Sequence, residues 1–268
     1  MPLPAPSPSR TAVVTGASSG IGAEIARELA RRGHGLTLVA RREDRLRELA
    51  AELSGVRVEV VVADLSVEGD RQRVVDEVAK RGLELDILVN NAGLSTTGLV
   101  VDSTADAELR MVKVDVEAVV HLCTLALPAM AKRGRGAVLN VASTAAMQPL
   151  PGQAGYGASK AFVLSYSRAL ATELKGTGVT VTALCPGPVP TEFAAAAGWT
   201  PEQFEGAMPS FMYVDAATVA KAGVDGADAG KQVVIPGLSN RGSALLSKVL
   251  PHRLLLPLLA RQHPSLKR

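Results

Sequence analysis

Short runs of β-branched and apolar residues alternate along this chain with longer stretches whose apolar positions recur every three or four residues. The runs cover 11–15, 36–40, 56–63, 86–90, 137–142, 179–185 and 232–235. They are almost continuously apolar rather than alternating, which predicts strands covered on both faces. The helical stretches fall at 20–32, 43–53, 67–81, 104–133, 155–175 and 215–228. A strand followed each time by a crossover helix predicts a parallel, doubly wound α/β sheet in one domain, with right-handed crossovers. A ligand is then expected at the C-terminal strand edges, near the point where strand order reverses. Residues 11–240 contain no repeat or linker. Residues 1–10, MPLPAPSPSR, read as a flexible leader, and 241–268 as a basic, Leu-rich extension.

Composition narrows this picture. With 268 residues, 47% of them hydrophobic, the chain can build one large core. Aromatics make up only 3%, so stacking platforms for single-stranded nucleic acid are not expected. The net charge of +3 is concentrated in the extension: 241–268 holds six basic residues and no acidic one, leaving 23 basic against 26 acidic elsewhere. A general polyanion-binding face, and with it a nucleic-acid partner, is not supported. Two cysteines suit a reducing compartment, the N-terminus lacks the apolar segment of a signal peptide, and no uninterrupted apolar run reaches membrane-spanning length. Together these point to the cytoplasm. The four histidines are scattered and have no cysteine partners at ligand spacing, so no metal is expected.

The first strand runs into Gly16-Ala17-Ser18-Ser19-Gly20-Ile21-Gly22 and then a helix. Gly16 permits a tight turn, Gly20 lets backbone approach a pyrophosphate, and Gly22 lets the helix pack closely. The helix N-terminus offers free N–H groups and the positive end of its dipole to phosphates. The segment TGASSGIG resembles the cofactor motif of the short-chain dehydrogenase/reductase family, and the likeness extends over 11–237. It implies a seven-stranded parallel Rossmann-type sheet in the order 3-2-1-4-5-6-7, flanked by helices. It also implies hydride transfer between a nicotinamide cofactor and a carbonyl or alcohol, in a homodimer or homotetramer.

The second strand ends Ala40-Arg41-Arg42, with no acidic side chain before Glu43. An acidic residue there would bond a ribose 2′-hydroxyl, whereas a basic one accommodates a 2′-phosphate. Arg41, with Ser18 and Arg42 as further donors, therefore favours NADP(H) over NAD(H). From the resemblance, Asp64 with Leu65 would meet the adenine edge, and Asn91-Ala92-Gly93 would lie near the adenosine ribose. Ser19 and Ile21 complete the phosphate turn.

Tyr156 and Lys160 stand one helical turn apart on one face. A phenol, with a reference pKa near ~10, needs a neighbouring ammonium and a cationic nicotinamide to stabilise its phenolate. The resemblance makes Tyr156 the acid/base, Lys160 its tuner and the holder of the nicotinamide ribose, and Ser143, thirteen residues before Tyr156, the group that polarises the substrate oxygen. Pro186 and Gly187 match its turn beside the nicotinamide, Thr191 a carboxamide contact and Val189 a backbone donor. Asp115, in Val114-Asp115-Val116, stands where the family usually has Asn. There the amide helps hold a water leading to the lysine. A carboxylate can accept from that water or pair with Lys160 directly, and both readings stay open.

The segments expected to face substrate, 94–98, 144–155 and 188–213, carry no Arg or Lys and are rich in apolar residues. They point to a neutral, lipophilic carbonyl or alcohol. Segment 188–213 is long enough to be a lid. The extension has two readings: short helices that cover a neighbour or the substrate entrance, and a basic amphipathic anchor making weak peripheral membrane contact, though Pro251 and Pro257 prevent one long helix. The alternative to an enzyme is an NADP(H)-binding scaffold or redox sensor without turnover.

Overall fold

The computed structural model describes residues 3–262 and Leu266. Seven parallel strands form one sheet: β1 Arg10–Thr15, β2 Leu36–Ala40, β3 Val58–Val62, β4 Glu84–Asn90, β5 Gly136–Val141, β6 Val179–Leu184 and β7 Val233–Val234. Their order is 3-2-1-4-5-6-7, as the resemblance implied. Chain order reverses between β1 and β4, so the ends of these two strands part into a crevice.

Helices cover both sheet faces because both sides of most strands are apolar. One face buries Ile25, Ala26 and Leu29 of α1 (Gly20–Arg31), Leu46 and Leu49 of α2 (Glu43–Glu52), and Val219, Ala220 and Val224 of α9 (Ala216–Asp228). The other buries Val74 and Val78 of α3 (Glu68–Lys80), Leu122, Ala126 and Met130 of α5 (Ala118–Arg133), and Val163 and Leu164 of α6 (Ala154–Glu173).

Three expectations need correction. The stretch 104–133 is not one regular helix: α4 (Ala105–Val112) passes through a π-helical turn, Lys113–Glu117, into α5. The continuous 29-residue span is long and apolar enough to cross a membrane, but half of its most apolar window is buried in the core. The segment expected to be a flexible leader is packed. Pro4 is buried, Leu3 sits against the α1–α9 cluster, and its N–H donates to Asp228 (2.9 Å). The alternating prolines already favour extended backbone, so holding this segment costs little conformational entropy. Arg10 opens β1 and pairs with buried Asp86 at 3.3 Å. Finally, the boundary expected after 240 falls inside α10 (Leu238–Val249). Asn240, Ala244 and Ser247 are buried on its inner side, which ties the extension to the body. Helix α11, His252–Gln262, follows Pro251 and accommodates Pro257. Met1, Pro2, His263, Lys267 and Arg268 lie outside the described residues, as do the side chains of Lys248, Val249, His252 and Leu258.

Candidate functional site

The glycine turn occupies the crevice between β1 and β4. Gly16 and Gly20 have positive φ, +66° and +55°, which a side chain would strain. A Cβ on Gly16 would lie 2.8 Å from the Ala92 backbone. A Cβ on Gly22 would overlap the Asn91 amide and the Gly16 carbonyl, so Gly22 serves the meeting of the two strand-end turns rather than helix-to-sheet packing. Asn91 holds that meeting together by donating to the carbonyls of Thr15 (2.9 Å) and Gly16 (3.3 Å). Helix α1 begins at Ser19 with no side-chain cap and no acidic residue in its first turn, whereas α2 and α3 each have acidic first turns. Its leading N–H groups therefore remain available to an anion.

A cleft of about 310 Å³ opens at this turn. Gly16, Ser18, Ser19, Gly20 and Ile21 line it from below, Arg41 and Arg42 from β2, Asp64 and Leu65 from β3, and Asn91, Ala92 and Gly93 from β4. Arg41 is exposed at the rim. Arg42 is tied down: it donates to Ser18 Oγ (3.1 Å) and Ser19 Oγ (2.8 Å), and it pairs with Glu192 at 2.7 Å. Asp64 accepts from the Ser66 N–H (3.0 Å) and hydroxyl (2.7 Å) and from Arg110 (2.8 Å). Burial would raise its carboxyl, but the Ser66 bonds, with Arg110 and Arg41, hold it below the ordinary value. An ionised acceptor thus faces the end of the cleft expected to take adenine.

A second cavity of about 280 Å³ adjoins the first and shares Ile21, Asn91, Gly93, Thr191 and Phe193 with it. Ser143, Tyr156, Lys160, Pro186, Gly187 and Val189 line its inner end. Ser143, at the end of β5, accepts from the Ala145 N–H (3.1 Å) and stands close enough to Tyr156 to lower its phenol. Lys160 Nζ lies 5.7 Å from the Tyr156 ring centroid and donates to the Val141 carbonyl (3.2 Å). The π-helical turn carries Asp115, fully buried, to 3.0 Å from the same Nζ, and Asp115 also accepts from the Leu94 N–H (2.7 Å). Of the sequence-derived candidates, only Gly22 and Asp115 lie behind the cavity walls rather than on them.

The electrostatics of this cluster follow from its crowding. Burial opposes the Lys160 ammonium, but Asp115, and then Tyr156, more than offset it and hold Lys160 above its ordinary value. Burial pushes the Asp115 carboxyl up against the pull of Lys160 and Leu94. Burial also raises the Tyr156 phenol. Lys160 and Ser143 lower it without prevailing, and Asp115 pushes it further up. The lysine alone does not bring the phenol down, because burial outweighs its pull and the Asp115 carboxylate adds to the rise.

Outward from the cluster the lining turns apolar: Leu150, Pro151, Phe193, Trp199, Phe204, Met208 and Leu259, with Gln148 and Gln153 as polar exceptions. Segment 188–213 folds into α7 (Glu192–Ala196, capped by Thr191), α8 (Pro201–Glu205) and a 3₁₀ turn, Ser210–Met212. The Tyr213 hydroxyl donates to the Phe204 carbonyl, and the two rings meet edge to face at 5.2 Å.

Two contributors, Glu192 and Asn240, were not singled out from sequence, while Phe193 and Leu259 belong to the segment and the extension expected near the substrate. Glu192 sits in a short helix whose neighbour Arg42 is 150 residues away. Phe193 packs its ring 5.8 Å from Tyr156. Leu259 reaches the cavity from α11. Asn240, fully buried, donates to the carbonyls of Met212 (3.0 Å) and Pro236 (3.2 Å), and its side chain fills the space where a Cβ on Gly187 would project. No local pattern marks these positions, since each depends on a tertiary neighbour.

Residues 10–201 match the family model described as short chain dehydrogenase. The chain is 41% identical over 187 residues to sulfoacetaldehyde reductase 2 of Chromohalobacter salexigens, covering 68% of this chain and 73% of that protein. Among solved structures it resembles a short-chain dehydrogenase from Sphingobium yanoikuyae in complex with NADPH (36% identity, TM-score 0.79, 92% of this chain and 95% of that one). It also resembles a short-chain dehydrogenase/reductase from Burkholderia phymatum in complex with NAD (26% identity, TM-score 0.79, 93% and 95%).

Proposed function

The chain belongs to the short-chain dehydrogenase/reductase family, and on that premise we propose that it is an NADP(H)-dependent oxidoreductase interconverting a neutral, lipophilic ketone or aldehyde and its alcohol. The observation that carries the reading is the joined cavity: Tyr156, Lys160 and Ser143 meet at its inner end, while its outer wall is almost wholly apolar. Among the described residues, Lys160 at the inner end is the one charged side chain lining this cavity, and Asp115 already pairs with it. A small anion of the kind named for the Chromohalobacter relative would find no second cation there.

The cleft fits a dinucleotide because the turn keeps Cβ atoms out of its path and α1 presents uncapped N–H groups beside two arginines. The nicotinamide, when bound, supplies or accepts the hydride. Ser18, Arg41 and Arg42 would hold a 2′-phosphate, Ser19, Gly20 and Ile21 the pyrophosphate, Asp64 and Leu65 the adenine, and Asn91, Ala92 and Gly93 the adenosine ribose. Pro186, Gly187, Val189 and Thr191, which line the cavity, would form the wall beside the nicotinamide.

In reduction the Tyr156 hydroxyl gives its proton to the carbonyl oxygen, which Ser143 orients by hydrogen bonding; in oxidation Tyr156 takes the proton back. Lys160 stabilises the phenolate as it forms and would hold the nicotinamide ribose. Asp115 fixes the position of Lys160. With its phenol raised, Tyr156 keeps its proton at neutral pH, which is the form that reduction needs. The family's usual homo-oligomer is part of this reading. Phe162, partly exposed and stacked on Tyr166 at 5.6 Å on the outer side of α6, offers a second copy an apolar face.

The test is NADPH oxidation with neutral ketones and aldehydes, comparing wild type with Tyr156→Phe. Loss of the acid/base should cost about 10²–10⁴-fold in turnover. NADPH binding without oxidation of any substrate would instead support a scaffold without turnover, in which Asp115 holds Lys160 too firmly to act.

A further inference from the structure

We propose that the outer face of α10 and α11, together with Phe211, docks on an anionic lipid surface. Leu238, Leu245 and Leu246 recur at helical spacing on the side of α10 opposite buried Asn240, Ala244 and Ser247, and Leu238 and Leu245 are 83% and 66% exposed. Arg241 lies in the same stripe and is exposed. Ser239 donates to the Phe211 carbonyl (3.1 Å), which brings Phe211, 71% exposed, to the start of this stripe. On α11, Arg253, Leu254 and Arg261 point outward, while Leu255 is buried on the opposite side and Leu259 lines the substrate cavity.

The charge on this face selects the partner. Its described cations are Arg241, Arg253 and Arg261, and from 229 to 268 the sequence has no acidic residue. Leucines and a phenylalanine interleaved with arginines fit the boundary between anionic headgroups and acyl chains, where the apolar side chains insert and the cations meet lipid phosphates. A second copy docked symmetrically would bring the same basic patch to both sides of the contact, with no acidic residue of α10 or α11 to pair with it. The helix that meets the lipid also walls the cavity, so docking would place the cavity beside the phase in which a lipophilic carbonyl dissolves. That consequence rests on the function proposed above; the docking does not.

The experiment is sedimentation of the full chain with vesicles of phosphatidylcholine alone and of phosphatidylcholine with phosphatidylserine, followed at rising salt. The expected result is binding to the anionic vesicles only, weakened by salt. Arg253→Gln and Arg261→Gln should each weaken it about fivefold, and Leu245→Glu with Leu246→Glu should abolish it. NADPH binding and the melting temperature serve as folding controls for these exposed positions. Absent binding, equal binding to neutral vesicles, or a loss of oligomer mass in solution for the Leu245→Glu, Leu246→Glu variant would overturn the proposal, the last assigning the face to a second copy. Because sedimentation needs no turnover, its failure is distinguishable from a failure of the reductase reading.

Discussion

Asp115 and Lys160 form an ion pair inside the protein, 3.0 Å apart and almost wholly shielded from water. Asparagine in place of Asp115 keeps an oxygen for the Leu94 N–H but removes the negative charge. Lys160 then faces Tyr156 uncompensated, and the influence of Asp115 that raises the phenol is gone. Tyr156 should lose its proton at lower pH. The rise of alcohol oxidation, which needs the phenolate, should move to lower pH in Asp115→Asn, and the fall of carbonyl reduction should move the same way. Profiles of kcat/KM against pH in both directions check this; unmoved profiles would leave Asp115 only its bond to the Leu94 backbone. Glu192 poses a second problem of charge, because it occupies the arginine proposed to take a 2′-phosphate. Both partners are about half exposed, so the pair is worth roughly 0.2–1 kcal/mol. Glu192→Gln should tighten NADPH by up to about fivefold and leave NADH unchanged, as measured by fluorescence titration. At this scale the spacing put Tyr156 and Lys160 on one helix face, and the family resemblance added Ser143 and the role of each. The Glu192–Arg42 pair was not legible, because it joins the starts of two helices 150 residues apart in the chain.

Element boundaries separate what local pattern decides from what packing decides. The stretch 104–133 reads as one helix because its apolar periodicity continues throughout. The wide turn at Lys113–Glu117 leaves that periodicity almost unbroken, yet it swings Asp115 toward Lys160. Such turns recur at functional sites, and nothing in residue composition announces them. The small helix α8 carries a local signal within the long segment 188–213: Thr200 accepts from the Gln203 N–H and Gln203 bonds back, with Pro201 at the first helical position. Its anchor is the Tyr213 hydroxyl on the Phe204 carbonyl. Tyr213→Phe keeps the ring contact and removes this bond, a net loss of about 0.5–1.5 kcal/mol in holding the lid. KM for a bulky ketone should rise by up to about tenfold, with kcat changed little and NADPH affinity unchanged. A matched fall in kcat would mean instead that the lid acts on the chemical step.

At the scale of the whole molecule, continuous apolar strands demand helices on both faces, and the 3-2-1-4-5-6-7 order then opens one crevice, where the sheet reverses. Strand character and alternation with helices were visible in the pattern. The packed N-terminal segment was not, because its prolines read as a loose leader until Asp86 and Asp228 supplied partners. That segment and α1 meet near His34, a nearly buried imidazole at the turn into β2. Burial, and then Arg32, hold its pKa below the ordinary 6.5, against weaker opposite pulls from Asp228 and Asp86. The unfolded chain therefore takes the proton first as pH falls. Stability present above 6.5 should be lost as pH drops below that value, until the folded histidine also protonates. Glutamates with depressed values, such as Glu28, lose their contribution only below the ordinary 4.5, so the two windows separate. Urea unfolding at steps between these values should show stability falling with acidification in wild type and a flatter course in His34→Gln. Equal slopes would mean that the packed N-terminal segment opens before the imidazole protonates, and that the histidine is not tied to global unfolding.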